Sequence, residues 1–218
     1  MRNDFISTAG AGVRVSGGHR CEAAAPTEPT GETQRPNRKD VIDMNEIIQA
    51  MIERRSIRQF SDEPVPKALI EDIITAGTYA ASGRNAQSTL IIAVTDKKWR
   101  NMIAEENRKI GGWAEGFDPF YGAPAILIVL ADKNRHTAVY DGSLVMGNMM
   151  LAAHSLGLGS CWIHRAKEEF EGEIGQKLLR QLGIDGIYEG IGHCAVGYYE
   201  GEYPSAPDRK ENRVYFVE

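Results

Sequence analysis

Apolar residues recur every three to four positions in five segments of the chain, which is the period of an amphipathic helix. These segments predict helices around residues 47–52, 69–77, 99–103, 139–156 and 170–182. The fourth segment carries apolar residues around most of its circumference, so we expect that helix to be buried along much of its length.

Short runs of branched apolar residues predict strands between and after these helices. The runs cover residues 90–94, 125–131, 160–163, 191–196 and 214–217. The second run contains almost no polar side chain, as expected for a strand that is covered on both faces. Helices and strands alternate along the chain, and this alternation alone predicts a parallel α/β sheet flanked by helices.

The first 43 residues differ in composition from the rest of the chain. They are rich in Gly, Ala, Thr, Pro and charged residues and contain few large apolar side chains, so residues 1–43 are predicted to be a disordered N-terminal extension. The helical pattern begins at Met44, and the predicted folded domain therefore covers residues 44–218. The extension is either genuine or an artefact ahead of a true start at Met44.

Composition narrows the classes of function. A chain of 218 residues with 42% hydrophobic content suits a globular protein, and a formal net charge of -5 argues against a nucleic-acid surface. Cys21, Cys161 and Cys194 show no spacing typical of a disulfide framework or a zinc site, which favours a reducing compartment. No apolar run reaches the ~20 residues that a membrane span needs, and no clear signal peptide is present. We therefore predict a cytoplasmic protein.

Known catalytic and nucleotide-binding motifs are missing from the sequence. The histidines have no metal-site spacing, and HExxH and GxSxG do not occur, so metalloenzyme and hydrolase interpretations lose support. Neither GxGxxG nor the P-loop pattern is present. Any bound nucleotide must therefore be held in another way.

The strongest candidate for chemistry is a cluster of three arginines and a serine, where a helix pattern gives way to an extended loop. It consists of Arg54, Arg55, Ser56 and Arg58. Guanidinium groups offer forked donors that match phosphate oxygens, and the serine hydroxyl can donate a further hydrogen bond. Arginines at a helix C-terminus also complement the helix dipole and are commonly solvated, so both interpretations stay open.

Two further segments are weaker candidates. Residues 82–87 offer hydroxyl and amide groups that suit the polar edge of a cofactor ring, and equally suit an ordinary turn. Residues 157–165 contain small residues that permit close approach of the backbone to a ligand, although Gly157 also fits a helix stop. Trp162 is more often a core residue and His164 more often a satisfied polar residue than a ligand contact.

Taken together, four segments resemble the nitroreductase family in their order and separation. They are RRSIRQF at 54–60, ASGRNAQ at 81–87, GLGSCWIHR at 157–165 and PDRK at 207–210. The resemblance implies an α+β fold, a nitroreductase-like three-layer sandwich with a mixed β-sheet and a long central helix. It also implies an intertwined homodimer with two FMN sites at its interface. The implied fold replaces the parallel sheet that alternation alone predicts.

The resemblance implies a role for each matching residue, so that residues 44–218 would form an FMN-binding domain. The positions that would hold the FMN phosphate and ribityl chain are Arg54, Arg55 and Ser56, completed by Arg209 and Lys210. Arg58 would lie near the pyrimidine edge of the ring. The residues that would line the ring are Trp162, Ile163 and His164. The residues that would come from the other subunit are Ala81, Ser82, Gly83, Asn85 and Gln87.

The implied function is that of an FMN-dependent oxidoreductase. It would transfer a hydride from NADH or NADPH through flavin N5 to an electron-poor small-molecule acceptor, such as a nitroaromatic or a quinone, with ping-pong kinetics. The flavin would carry the chemistry, with Arg58 stabilising the reduced ring, and no metal, nucleic acid or membrane partner is expected. Two alternatives stay open. One is a flavin reductive dehalogenase or dehydrogenase on the same fold, and the other is a non-catalytic flavin-binding module.

Overall fold

The computed structural model describes residues 45–218. The predicted extension at residues 1–43 lies outside the described residues and stays a prediction.

Four strands form one sheet with the spatial order β1-β2-β4-β3. They are β1 (Thr89–Val94), β2 (Ala125–Asp132), β3 (Gly159–Ile163) and β4 (Tyr188–Gly197). Every neighbouring pair of strands is antiparallel, so the parallel sheet expected from alternation alone is wrong. A strand that is covered by helices on both faces is an apolar run in a parallel and in an antiparallel sheet alike. The side-chain pattern of such a run therefore carries no information on strand direction.

A parallel element joins the sheet at one point. Ser56, in the loop after the first helix, forms an isolated parallel bridge with Ser160 in β3. Within residues 45–218 the four strands pair in antiparallel fashion, and this bridge is the parallel contact that makes the sheet mixed.

Six α-helices accompany the sheet among the described residues. They are α1 (Glu46–Glu53), α2 (Lys67–Thr78), α3 (Lys97–Gly111), α4 (Ala138–Ser155), α5 (Ala166–Glu171) and α6 (Glu173–Leu182). The single helix predicted at 170–182 is divided between α5 and α6, because Gly172 adopts an extended conformation with ψ of -177°. A Cβ at Gly175 would lie 2.5 Å from the Cα of Phe170, so the two short helices meet closely at this turn.

The core lies on both faces of β2. Ile126, Ile128 and Leu130 pack with residues of α3, α5 and α6 on one face. Leu127 and Val129 pack with residues of α2 and α4 on the other face. Each of these five side chains is fully buried, and burial of one such side chain contributes about 1.5–3 kcal/mol. The strand period of two therefore produces the three-layer sandwich that the family resemblance implies.

The central helix α4 is buried on one side only. Met146 and Met149 are fully buried, whereas Tyr140 and Leu144 are 72% and 50% exposed. No residue of α1 is buried, although its apolar residues follow the helical period. The exposed apolar side chains of α1 are Ile47, Ile48, Met51 and Ile52. Single exposed apolar residues are common on protein surfaces. Here, however, the exposed apolar faces of α1 and α4 present a large apolar surface to solvent.

The last eighteen residues, 201–218, contain neither helix nor strand, and all are exposed. The strand predicted at 214–217 is therefore wrong for the single chain, because a strand needs a partner edge as well as β-forming residues. None of the helices within residues 45–218 is both long enough and apolar enough to cross a bilayer.

Candidate functional site

The segment that follows α1 is fixed against the ends of two strands. Arg54 ends α1 with ψ of 131°, so the chain leaves the helix in an extended conformation. The Ile57 N–H then donates to the Ser160 carbonyl at 2.9 Å, and Ile57 and Phe60 are buried. A Cβ at Gly159 would lie 2.9 Å from Ile57, so glycine is needed for this close approach. The two apolar anchors leave the polar residues between them free to face outward.

Two of the predicted phosphate-binding residues, Arg54 and Ser56, and the predicted ring-edge residue Arg58 lie around one buried thiol. Burial raises the pKa of the Cys161 thiol, while the charges of Arg58 and Arg54 and a hydrogen bond with Ser56 act in the opposite direction. Burial also raises the pKa of Cys194 to about 12. Both thiols are therefore neutral at physiological pH and do not neutralise the arginines.

Arg55 has a different environment from its neighbours. Its Nη1 donates to the carbonyls of Ile52 at 2.6 Å and Arg54 at 2.8 Å. It therefore caps the C-terminus of α1, which is the helix-dipole role that sequence reasoning had weighed against phosphate binding. The Arg55 backbone N–H donates to the Tyr203 hydroxyl at 2.9 Å.

The arginine cluster has unused donor capacity. Within residues 45–218, no carboxylate forms a salt bridge with Arg54, Arg55 or Arg58. Arg54 Nη1 and Arg55 Nε are buried and have no hydrogen-bond partner in this part of the chain. Buried charged donors without partners are costly, and an anionic group such as a phosphate supplies the acceptors and the charge that they require. The residues present therefore fit an anionic ligand.

The loop at 81–87 has an unusual backbone that one carboxylate holds in place. Arg84, Asn85 and Gln87 all have positive φ, at 54°, 53° and 47°. The Gly83 N–H donates to Asp141 Oδ1 at 2.9 Å. Ser82 Oγ accepts from the Gln87 N–H at 3.0 Å, and Gln87 Nε2 donates to Asn85 Oδ1 at 3.1 Å. The predicted hydroxyl and amide cluster is thus shaped largely by its own hydrogen bonds.

Sequence reasoning missed Asp141, which is only 3% exposed. Its second oxygen accepts from the Thr137 hydroxyl at 2.8 Å. A lone carboxylate in an otherwise apolar helix is the signal that could have identified this residue, since a buried charge needs hydrogen-bond partners.

The end of β3 places the predicted ring-lining residues in different surroundings. The Ile163 side chain is buried in the core, and Trp162 is partly buried against β4, where a Cβ at Gly192 would lie 2.1 Å from its Nε1. The His164 side chain is exposed, and its carbonyl accepts from Asn107 Nδ2 at 2.9 Å. Ile163 would therefore meet a ligand through its backbone rather than its side chain.

The C-terminal residues Arg209 and Lys210 lie in the exposed segment 201–218. Within residues 45–218, no hydrogen bond or salt bridge joins either of them to Arg54 or Ser56. Their predicted part in the phosphate site stays a prediction.

Arg55 and part of the loop at 81–87 line two separate cavities. Arg55 lines a cavity of ≈ 380 Å³ with His154 and Tyr203. The residues that line the second cavity, of ≈ 240 Å³, include Ala81, Ser82, Gln87 and Asp141. Arg54, Ser56 and Arg58 lie around Cys161, whereas Ala81, Ser82 and Gln87 line a different cavity of the same chain.

Comparison with known proteins identifies this arrangement. The family model described as the nitroreductase family matches residues 51–198, which include the arginine cluster, the loop and the whole sheet. The chain belongs to the nitroreductase family. The chain is similar to the FMN reductase [NAD(P)H] of Bacillus subtilis, which is 32% identical over 139 residues, 54% of this chain and 53% of that protein.

Other relatives are similarly distant. The oxygen-insensitive NADPH nitroreductase of Salmonella typhimurium is 29% identical over 144 residues, 59% of this chain and 57% of that protein. The chain spans about half the length of these two relatives. Among solved structures, a nitroreductase with bound FMN from Bacteroides fragilis superposes with a TM-score of 0.75 at 26% identity. That match covers 80% of this chain and 100% of the other, and it confirms the nitroreductase-like fold.

Proposed function

We propose that this protein is an FMN-dependent oxidoreductase that uses NADH or NADPH to reduce an electron-poor small molecule, such as a nitroaromatic or a quinone. The observation that carries the proposal is the arginine cluster with buried, unpartnered guanidinium nitrogens at Arg54 and Arg55. Membership of the nitroreductase family and the FMN bound to its solved members support the same cofactor.

The protein's own residues would bind and orient the cofactor. Arg54 and Ser56 would hold the phosphate, with Arg209 and Lys210 completing the site. FMN, when bound, supplies two-electron redox chemistry that no side chain of the protein can provide. Arg58 is exposed and has no carboxylate partner among residues 45–218, so its charge is available to the negative charge that develops on reduction, an effect worth about 3 kcal/mol in a partly dry site.

The site is proposed to be completed by a second copy of the chain in an intertwined homodimer. The support is the apolar surface of α1 and α4, on which Met51 and Leu144 are 57% and 50% exposed, and the exposed C-terminal segment. A surface of this kind marks an interface in a stable protein. The partner's loop would then supply the groups at Ala81, Ser82, Gly83, Asn85 and Gln87, since these residues lie apart from Arg54 in the single chain.

A reducing compartment, the cytoplasm, belongs to the same proposal. Cys161 and Cys194 are both buried and free rather than joined in a disulfide. Free thiols in strands suit a reducing environment.

The decisive experiment is a visible spectrum of the purified protein, followed by anaerobic reduction with each nicotinamide and reoxidation by quinones and nitroaromatics. We expect a yellow protein whose flavin is bleached by a nicotinamide and restored by an acceptor. Colourless protein that cannot be reconstituted with FMN would refute the proposal. Bound FMN that no nicotinamide reduces would instead favour the non-catalytic flavin-binding module.

A matched pair of arginine variants tests the phosphate site. Arg54→Met removes a charged donor, so the Kd for FMN should rise about 10- to 100-fold. Arg180→Met removes an exposed guanidinium from α6 and should leave the Kd unchanged. Equal FMN affinity in both variants would contradict the proposed role of Arg54.

A pair of surface variants tests the dimer. Met51→Glu places a charge on the apolar face of α1, so it should convert the dimer to a folded monomer that binds FMN weakly. Lys67→Glu changes an exposed charge at the start of α2 and should leave the dimer intact. Light scattering gives the mass, and a monomeric wild-type protein that binds FMN fully would refute the composite site.

A further inference from the structure

Three polar side chains form a fully enclosed network between α3, α5 and β4. Asn107 and His193 are each 0% exposed and Glu169 is 1% exposed. Asn107 Nδ2 donates to Glu169 Oε1 at 2.6 Å. His193 Nε2 lies 2.7 Å from Glu169 Oε2, within ion-pair distance but without an aligned hydrogen bond. The carboxylate therefore contacts both of the other side chains.

The network ends at the backbone of the predicted ring-lining segment. The same Asn107 Nδ2 donates to the His164 carbonyl at 2.9 Å. Directly after this carbonyl, Arg165 has φ of 78°, a left-handed backbone conformation that residues other than glycine rarely adopt. The Arg165 carbonyl then accepts from the Glu169 N–H at 3.1 Å. Glu169 and Asn107 thus hold the turn at 164–165 from both of its peptide groups.

Stability alone does not account for this network. Asn107 Oδ1 and His193 Nδ1 are buried and have no hydrogen-bond partner within residues 45–218. A half-satisfied polar network in a core is less stable than apolar side chains of the same volume would be. The surroundings are apolar, since the Phe120 ring lies 5.2 Å from the His193 ring. What the network does provide is one fixed position for the His164 carbonyl.

We propose that Asn107 is a positioning residue, held by Glu169, which fixes the turn at His164 and Arg165 and thereby sets the affinity and reduction potential of FMN. The inference rests on the proposed function and on the ring-lining role of Trp162, Ile163 and His164 that the family resemblance implies, since these residues lie at the end of β3. Asn107 itself would not touch the flavin and would act only through the backbone that it holds.

The test combines flavin measurements with amide hydrogen exchange. Asn107→Ala removes the donor to His164, so the Kd for FMN should rise about fivefold, the effect of one lost hydrogen bond. The midpoint potential and the visible spectrum of the bound flavin should shift, and the amides of residues 164–168 should exchange faster. Asn107→Ser, whose side chain is too short to reach the carbonyl, should have the same effects.

Control variants separate positioning from general destabilisation. Ile103→Ala creates a cavity one turn away on the same face of α3 and should lower stability while leaving the flavin spectrum and potential unchanged. Glu169→Gln keeps an acceptor for Asn107 and should retain the wild-type flavin properties, whereas Glu169→Leu should behave like Asn107→Ala.

Each outcome distinguishes this inference from the proposed function. Wild-type flavin properties in both Asn107 variants, or an equal shift in Ile103→Ala, would overturn the positioning role while FMN binding stands. A wild-type protein that never takes up FMN would refute the proposed function. In that case, amide exchange at residues 164–168 would be compared between the flavin-free wild type and the flavin-free Asn107 variants. This comparison by itself would decide whether Asn107 fixes the turn.

Discussion

Replacing Asp141 with alanine should release the loop at 81–87 from the body of the protein. The Asp141 carboxylate is buried and accepts from the Gly83 N–H at 2.9 Å and from the Thr137 hydroxyl at 2.8 Å. No other side chain of the described residues accepts a hydrogen bond from the Gly83 N–H. Asp141→Ala therefore removes the link between α4 and this loop.

The expected loss of stability follows from these two bonds and from the loop's backbone. A hydrogen bond to a charged group contributes about 1.5–3 kcal/mol. Arg84 and Asn85 adopt left-handed conformations that cost about 1–2 kcal/mol each, so the loop is not stable by itself, and part of this cost is recovered when it relaxes. Together these effects predict that Asp141→Ala lowers the free energy of unfolding by about 2–4 kcal/mol.

Urea unfolding measures the loss of stability, and amide hydrogen exchange measures the release of the loop at 81–87. Asp141→Asn is the matched control, because its amide oxygen can still accept from Gly83 while the Thr137 hydroxyl rotates to accept from the amide nitrogen. It should lose less than about 1 kcal/mol, and its loop amides should stay protected. If Asp141→Ala unfolds within about 0.5 kcal/mol of the wild type, or if its loop amides exchange at the wild-type rate, the anchoring role is wrong.

Three further changes have defined outcomes. Because burial raises the pKa of Cys194 from 9.0 to about 12, the native state retains a proton that the unfolded state loses. Stability should therefore fall by about 1.4 kcal/mol between pH 8 and 10 relative to Cys194→Ala, and equal pH slopes in urea unfolding would contradict this. Gly192→Ala forces the Trp162 ring to move, so it should lower the free energy of unfolding by about 1–3 kcal/mol, and Trp162→Phe should partly rescue it in a double-mutant cycle. The Arg165 guanidinium lies 4.3 Å from the centre of the Trp113 ring, so Trp113→Leu should speed amide exchange at residues 112–117, and unchanged exchange would argue against this contact.

The elements with the strongest periodic patterns were predicted best from the sequence. The apolar run at 125–131 and the helical pattern at 139–156 match β2 and α4 to within one residue at each end. Strand direction was not predictable, because burial on both faces removes the alternation that would distinguish the two kinds of sheet. The break at Gly172 and the open segment at 214–217 depend on neighbouring elements rather than on local preference.

The candidate site was predictable in its positions but not in its contacts. The four residues at 54–58 could be named from composition and resemblance, yet the capping role of Arg55 and the unpaired nitrogen of Arg54 required the structure. Tyr203 bonds Arg55 across 148 positions in the sequence, and Asn107 bonds Glu169 across 62. Such long-range pairs leave no local pattern in the chain.

The central position of β2 has a consequence for synthesis of the chain. β2 pairs with β1 on one side and β4 on the other, and β4 begins only at Tyr188. While a ribosome is still adding the intervening residues, the edge of β2 that will pair with β4 has no partner strand. A run such as Ala125 to Ala131 that waits unpaired favours aggregation between nascent chains. Chains that end before Tyr188 should therefore be recovered as insoluble aggregates, whatever cofactor is supplied.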